Sequence, residues 1–354
     1  MKRLFLLLGL LTGLILGYLL FWPVDIDPAS WTPPAAPDLE QGTYAANDKL
    51  ASAELLSTEP FGAGPEDVAI DSNGFIYGGL VDGKILRYQA DGSQPTVFAE
   101  TGGRPLGFHF DTLGNLIVAD AEKGLLSVDP TGKVSLLTNT VNGETINFAD
   151  DLEIGADGVI YFSDASSKFG VHEFRSDLME HRPNGSLLSY DPRTGETKKL
   201  ADGLFFANGI AVSPDQQFLL VVETNKYRVQ KYWLQGPKAG SMEIFVDNLP
   251  GFPDGISTGE NGTFWIACPN PRNAPLDALL PNPFLRKLAY RLPEALQPQE
   301  IRYGMVLGFD ATGNLTYNLQ DPSGRLAVIT SVQEFDGQLY LGSLREPAIG
   351  RLKL

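Results

Sequence analysis

Apolar and polar residues alternate with period two through most of this chain, and Gly-containing turns such as Asn-Gly and Asp-Gly interrupt the alternation. Period two places successive side chains on opposite faces of an extended strand, so the pattern predicts β-structure punctuated by tight hairpins. From residue 49 the pattern repeats. The copies are PEDVAIDSNGFIYGG from Pro65, RPLGFHFDTLGNLIVAD from Arg104, FADDLEIGADGVIYFSD from Phe148, FANGIAVSPDQQFLLVVE from Phe206, FPDGISTGENGTFWIAC from Phe252 and ITSVQEFDGQLYLGS from Ile329. A third strand follows each hairpin (GKILRYQ, GLLSVDP, GSLLSYD, RVQKYWL, MVLGFDA, AIGRLKL), and a fourth follows in five copies. Six units of four strands predict an all-β, six-bladed β-propeller. The sixth unit lacks its own fourth strand, but SAELLSTEP (Ser52 to Pro60) has that character and precedes the first unit. It is expected to pair into the last blade, closing the ring and removing an open sheet edge. A β-sandwich would leave the six copies and the displaced strand unexplained.

The N-terminus departs from period two. After Met1-Lys2-Arg3, residues Leu4 to Val24 carry no charge, long enough to cross a bilayer, and Tyr18, Phe21 and Trp22 cluster at the far end as interfacial aromatics do. A cleaved signal peptide is the alternative, but no small-x-small cleavage site directly follows the run. The expectation is a transmembrane signal anchor over 1–24, with a cytoplasmic N-terminus and the body on the periplasmic, lumenal or extracellular side by the positive-inside rule. Residues 25–48 are Pro-rich and read as an extended tether, leaving the propeller at 49–354.

Charge and cysteine narrow the field. A net charge of −16 and a pI near 4.6 argue against a nucleic-acid partner. Cys268 is alone, so neither an intrachain disulfide nor a Cys/His zinc site is available. Nothing in the sequence specifies an oligomeric state.

In a propeller the innermost strand of each blade starts near the central axis, so equivalent starting positions form a ring. Counting back eight residues from each turn glycine, or from Gln216 in its place, gives Glu66, Leu106, Asp150, Asn208 and Asp254. Glu66, Asp150, Asn208 and Asp254 offer the carboxylate and amide oxygens that a hard cation such as Ca²⁺ binds. Asp67 and Asp151 follow directly, and so many carboxylates near one axis require cations or protons, with room for a second, structural ion on Asp67 and Asp151. Asx-turn chemistry is the structural alternative; it accounts for one or two such positions but not for Glu66.

PEDVAID, FADDL, YFSDASSK, FANGIAVSP, ETNKYRV, LPGFPDGIS and EFDGQLYLGS, falling in this order, resemble the strictosidine synthase-like family, its adipocyte plasma membrane-associated branch most closely. More distantly the pattern is similar to paraoxonases, gluconolactonases of the senescence-marker type and diisopropyl-fluorophosphatase. That resemblance implies axial calcium on a Glu, two Asn and an Asp, which fall on Glu66, Asp150, Asn208 and Asp254. Asp150 stands where those relatives carry Asn. Gly255 replaces an Asn of paraoxonases, and Asp120 occupies the region of their catalytic His. Thr330 matches the glutamate of strictosidine synthase, so alkaloid-forming condensation is not expected.

A cation with open coordination polarises an ester or lactone carbonyl and lowers the pKa of a bound water. Asp254 is the first candidate base or nucleophile and Asp120 the second. The second-to-third-strand loops lie over the metal face, and two are long. Ser166 to Asn184 holds His172 and His181, read as solvated loop residues; Pro269 to Tyr303 holds FLRKLAYRL, read either as a lid or as a rim helix. His109 reads as a packing residue and Cys268 as a small buried hydrophobe. The expected function is a membrane-anchored, calcium-dependent hydrolase of small ester or lactone substrates. A non-catalytic, metal-stabilised binding propeller is the rival, and a condensing synthase the third reading.

Overall fold

The computed structural model describes residues 1–354, the side chain of residue 294 excepted. Six four-stranded antiparallel sheets form the blades of a propeller. Blade 1 runs Val68–Ile70, Ile76–Gly79, Lys84–Tyr88 and Thr96–Glu100, and blades 2 to 5 repeat that order. In blade 6 the strand order is Ile329–Phe335, Gln338–Ser343, Ala348–Lys353 and then Glu54–Ser57 from the other end of the chain. Glu54 pairs with Arg351 and Ser57 with Ala348, so the ring is closed by backbone hydrogen bonds between distant segments.

Each inner strand alternates between two neighbouring blades, which is why its residues are nearly all apolar, whereas outer strands such as Glu196–Leu204 are largely polar. In blade 1, Ile76, Leu86 and Tyr88 pack towards blade 6, on Leu56, Tyr340 and Ile349. Their chain neighbours Tyr77 and Ile85 pack towards blade 2, on Phe108 and Val118. Each of the six blade interfaces has its own apolar cluster, so the core is a ring of layers. Asp-capped hairpin turns recur in blades 1 and 2. In blade 1, Asp71 Oδ1 accepts the N–H groups of Asn73 and Phe75 at 2.9 and 3.0 Å, and Gly74 takes φ +83°.

Helix α1 (Lys2–Phe21) has no buried residue and is long and apolar enough to span a membrane. Three short helices sit over one end of the ring: α2 (Phe174–Glu180), α3 (Ala274–Leu279) and α4 (Pro283–Tyr290). Asn273 and Asn282 cap α3 and α4 by accepting the Leu276 and Leu285 N–H groups, with proline in the first turn of each.

The stretch read as a tether is laid along this end of the propeller as a strap. Ala29 N–H donates to the Glu180 carbonyl at 3.0 Å and Trp31 N–H to that of Leu280 at 3.2 Å. Arg272 reaches the Pro34 carbonyl at 2.7 Å and Asn248 that of Ala35 at 2.9 Å. Proline removes donors but leaves carbonyls, and side chains of the propeller take them up.

Candidate functional site

Glu66, Asp150, Asn208 and Asp254 come from blades 1, 3, 4 and 5, each at or just before the start of its innermost strand. All four line the floor of one cavity of about 210 Å³. None is more than 8% exposed. Leu106 of blade 2 and Thr330 of blade 6 line the same floor. The backbone of this ring is stitched blade to blade: Gly209 N–H donates to the Asp254 carbonyl at 3.2 Å and Gly255 N–H to that of Thr330 at 2.8 Å. The Thr330 hydroxyl donates to the Glu66 carbonyl at 2.7 Å, so it serves the ring rather than a substrate. These approaches explain Gly255. A Cβ there would lie 2.5 Å from the Thr330 oxygen, leaving no room for a ligand side chain.

The floor is electrostatically unbalanced. Burial raises the Glu66 carboxyl well above the usual range, and the Asp254, Asp150 and Asp67 carboxylates add to it. Asp150 is raised well above its ordinary value by burial and by Asp254. Asp254 is pushed up to about 7 by burial, moderated by the Asn208 amide, whose Nδ2 donates to Asp254 Oδ1. Arg104 opposes these shifts at Glu66 and Asp150; it is buried, donating to the Gly64 and Gly79 carbonyls at 3.0 and 3.3 Å. Sequence pattern did not single out this arginine, although a charge two residues before Leu106 at a strand start is its signature.

Asp67 and Asp151 lie on the other side of the ring, around a smaller cavity of about 30 Å³. Each clamps the next blade: Asp67 Oδ2 accepts the Phe108 N–H at 2.7 Å and Asp151 Oδ2 the Ile210 N–H at 2.8 Å. Burial pushes the Asp67 carboxyl up to about 6 and raises Asp151 well above the ordinary range. His109 faces this cavity, its Nδ1 at 3.0 Å from Glu153 Oε1. Burial disfavours its charged form, but Glu153 and Asp67 outweigh that and raise its pKa.

Asp120 is not brought to either cavity. It is fully buried at the end of its strand, and its Oδ1 accepts the N–H groups of Arg104, Glu122 and Lys123 at 3.0–3.1 Å. Those bonds hold the hairpin, and the carboxylate faces neither cavity. His172 is exposed and pairs with Glu122 at 3.0 Å. His181 is not a solvated loop residue: it is buried, stacked on Trp31 with ring centroids 4.5 Å apart. The strap covers it, which a reading of residues 25–48 as a free tether did not allow for. Cys268 lies within the apolar layer between blades 4 and 5. Arg228 pairs with Glu223 at 2.5 Å within blade 4.

Both long loops roof the cavity. Phe174, Leu178 and Met179 of α2, Leu276 of α3 and Tyr290 of α4 face it, together with residues 297–301. Phe148, Phe206 and Phe252 supply apolar walls above the acidic floor.

A strictosidine synthase family model matches residues 150–237, and one for the strictosidine synthase-like N-terminal region matches residues 42–88. Over 361 residues the chain is 36% identical to protein strictosidine synthase-like 6 of Arabidopsis thaliana, covering 99% of this chain and 95% of that one. The human adipocyte plasma membrane-associated protein is 36% identical over 355 residues, covering 94% and 84%. The chain belongs to the strictosidine synthase-like family. Among solved structures, a gluconolactonase from Xanthomonas campestris superposes with TM-score 0.63 at 19% identity, covering 94% of this chain and 99% of that one. A calcium-binding protein, regucalcin, from Agrobacterium tumefaciens gives TM-score 0.61 at 17% identity, covering 85% and 93%. At those identities the likeness establishes the six-bladed propeller.

The donor chemistry of this strictosidine synthase-like chain suits a hard cation. Three buried carboxylates and an amide face one cavity, with Arg104 as the cation that moderates them. Among the described residues no three acidic, imidazole or thiol side chains converge closely enough to hold an ion as they stand. The Asn208 amide is turned away from a ligand role as well. Its N–H points at Asp254, whereas binding needs its oxygen, a half-turn of the amide away.

Proposed function

We propose that this protein is a membrane-anchored hydrolase of lactones or of aryl and carboxylic esters, holding Ca²⁺ on Glu66, Asp150, Asn208 and Asp254, with its propeller on the extracytoplasmic side. The observation that carries the reading is the acidic ring forming the floor of an apolar, roofed cavity. A relative in fold named gluconolactonase and another described as calcium-binding support it, as does α1 for the anchor. When bound, the cation supplies Lewis acidity towards a carbonyl oxygen. The reading gives Asp254 the proton: a carboxylate bound to the cation through one oxygen presents the other to a water or substrate. Phe148, Phe206 and Phe252 keep bulk water from that carboxylate and favour an apolar acyl or aryl group.

The test is turnover of phenyl acetate and of a γ-lactone by the full-length protein, with calcium and with chelator, alongside calorimetric calcium titration. Asp254→Asn is expected to lower turnover by roughly a hundredfold or more, the usual weight of a general base. Calcium binding without turnover of either substrate class would favour the non-catalytic binding propeller. One observation leans that way: among the described residues no histidine lines the cavity. A condensing synthase is disfavoured because the Thr330 hydroxyl is committed to the Glu66 carbonyl.

A further inference from the structure

We infer that the roof of the cavity is the membrane-facing surface of this protein, and that the cavity draws its ligand from the bilayer: an ester or lactone carrying a long alkyl chain. The ligand class rests on the hydrolase reading; the membrane face does not. Helix α4 carries the argument because it is turned inside out. Phe284 and Leu285 are 54% and 40% exposed, whereas Arg286 is fully buried. Arg286 Nη1 donates to the Met179 and Glu180 carbonyls at 3.0 and 3.3 Å, and its Nη2 to the strap at Ala29. A helix facing water shows the opposite polarity.

The same helix touches the anchor. Arg291, one residue past its end, donates to the Trp22 carbonyl at 2.7 Å and the Leu19 carbonyl at 2.9 Å, in the last turn of α1 and just beyond. With a rise of about 1.5 Å per residue, the eight residues of α4 extend only about 12 Å from that point. Phe284 and Leu285 are therefore held beside the place where α1 leaves the hydrocarbon. Tyr290, adjacent to Arg291, lines the cavity. Ile301 is both exposed and part of the cavity lining, so an apolar side chain stands at the cavity lip. A lipophilic molecule partitioned in the bilayer would then enter past Ile301 towards the apolar walls of Phe148, Phe206 and Phe252.

The experiment uses the full chain in lipid nanodiscs. Cys268 is the single cysteine and is fully buried, which makes added cysteines addressable. Phe284→Cys carrying an environment-sensitive fluorophore should be quenched by nitroxide lipids labelled near the headgroup. Leu113→Cys, 81% exposed in a hairpin turn on the opposite rim, should not be. Equal quenching at both positions, or none at either, overturns the membrane face. Shielding of Phe284 in detergent by a second copy of the chain, seen as a dimer by light scattering, overturns it as well. For the ligand class, Phe284→Glu combined with Leu285→Glu should retain short-chain nitrophenyl ester turnover. The same variant should lose about tenfold or more on a bilayer-borne long-chain ester. Equal behaviour on the two esters overturns bilayer delivery. If the wild type turns over neither ester, the hydrolase reading fails. Saturable binding of a fluorescent long-chain ether, competed by long-chain but not short-chain analogues, then still decides the ligand.

Discussion

His181 sits where roof, strap and blades meet, closing α2 in the left-handed conformation at φ 54° and stacking on Trp31. Burial, and then the nearby Lys226 and Arg286 charges, push its pKa down to about 3. A base whose folded pKa lies below its unfolded value near 6.5 favours folding when neutral. Its contribution is complete above about pH 6.5 and is lost as pH falls towards 3. His181→Phe, which keeps the stacking surface, should flatten the loss of thermal stability between pH 6.5 and 4. Asp177, raised to about 6 by burial, acts in the opposite sense between 3.8 and 6. The comparison of variant with wild type removes that contribution, since both keep Asp177. Gly255 offers a second check at this scale. Gly255→Ala brings a Cβ to 2.5 Å from the Thr330 oxygen and should destabilise by about 1–3 kcal/mol in urea denaturation. The alternation and the turns could nominate Glu66, Asp150, Asn208 and Asp254, because register is periodic. They did not give the roles of Arg104 or Asp120, because those depend on which backbone groups a turn leaves unpaired.

The closing strand Glu54–Ser57 lies between these residues and the whole ring. Leu56 points into the layer between blades 6 and 1, while Leu55 on the other face is 37% exposed. Leu56→Ala should cost about 2–5 kcal/mol, as buried large-to-small changes do. Leu55→Ala should stay within about 0.5 kcal/mol. Urea midpoints for the two variants test whether the strand is an integral part of the ring; equal values would deny it. This element was legible because the sixth repeat lacks a fourth strand of its own. The strap was not, since residues 25–48 pair through prolines, carbonyls and long-range side chains that carry no period. The roof helices were half legible: FLRKLAYRL announced an amphipathic helix, but not that its arginine would turn inwards.

For the whole molecule, the proposed calcium site would make stability a function of calcium. A ligand that binds only the folded state stabilises by mass action, and at about a hundredfold excess over Kd this is about 2.7 kcal/mol. For a domain of this size that corresponds to a rise in Tm on the order of 5 °C. Asn208→Ala should abolish most of the rise, as followed by differential scanning calorimetry; an unchanged rise would place calcium elsewhere. By itself the sequence determined the number of blades, the closing strand, the apolar N-terminal helix and the four axial oxygen positions, because each is written in a local period or its interruption. Only the tertiary structure decided that Asp67 and Asp151 clamp blades, that Asp120 serves a turn, and that two loops, tied down by a strap, roof the cavity beside α1. Those outcomes depend on which buried donor finds which acceptor across distant segments, and a buried polar group is paired by whatever the fold brings within reach.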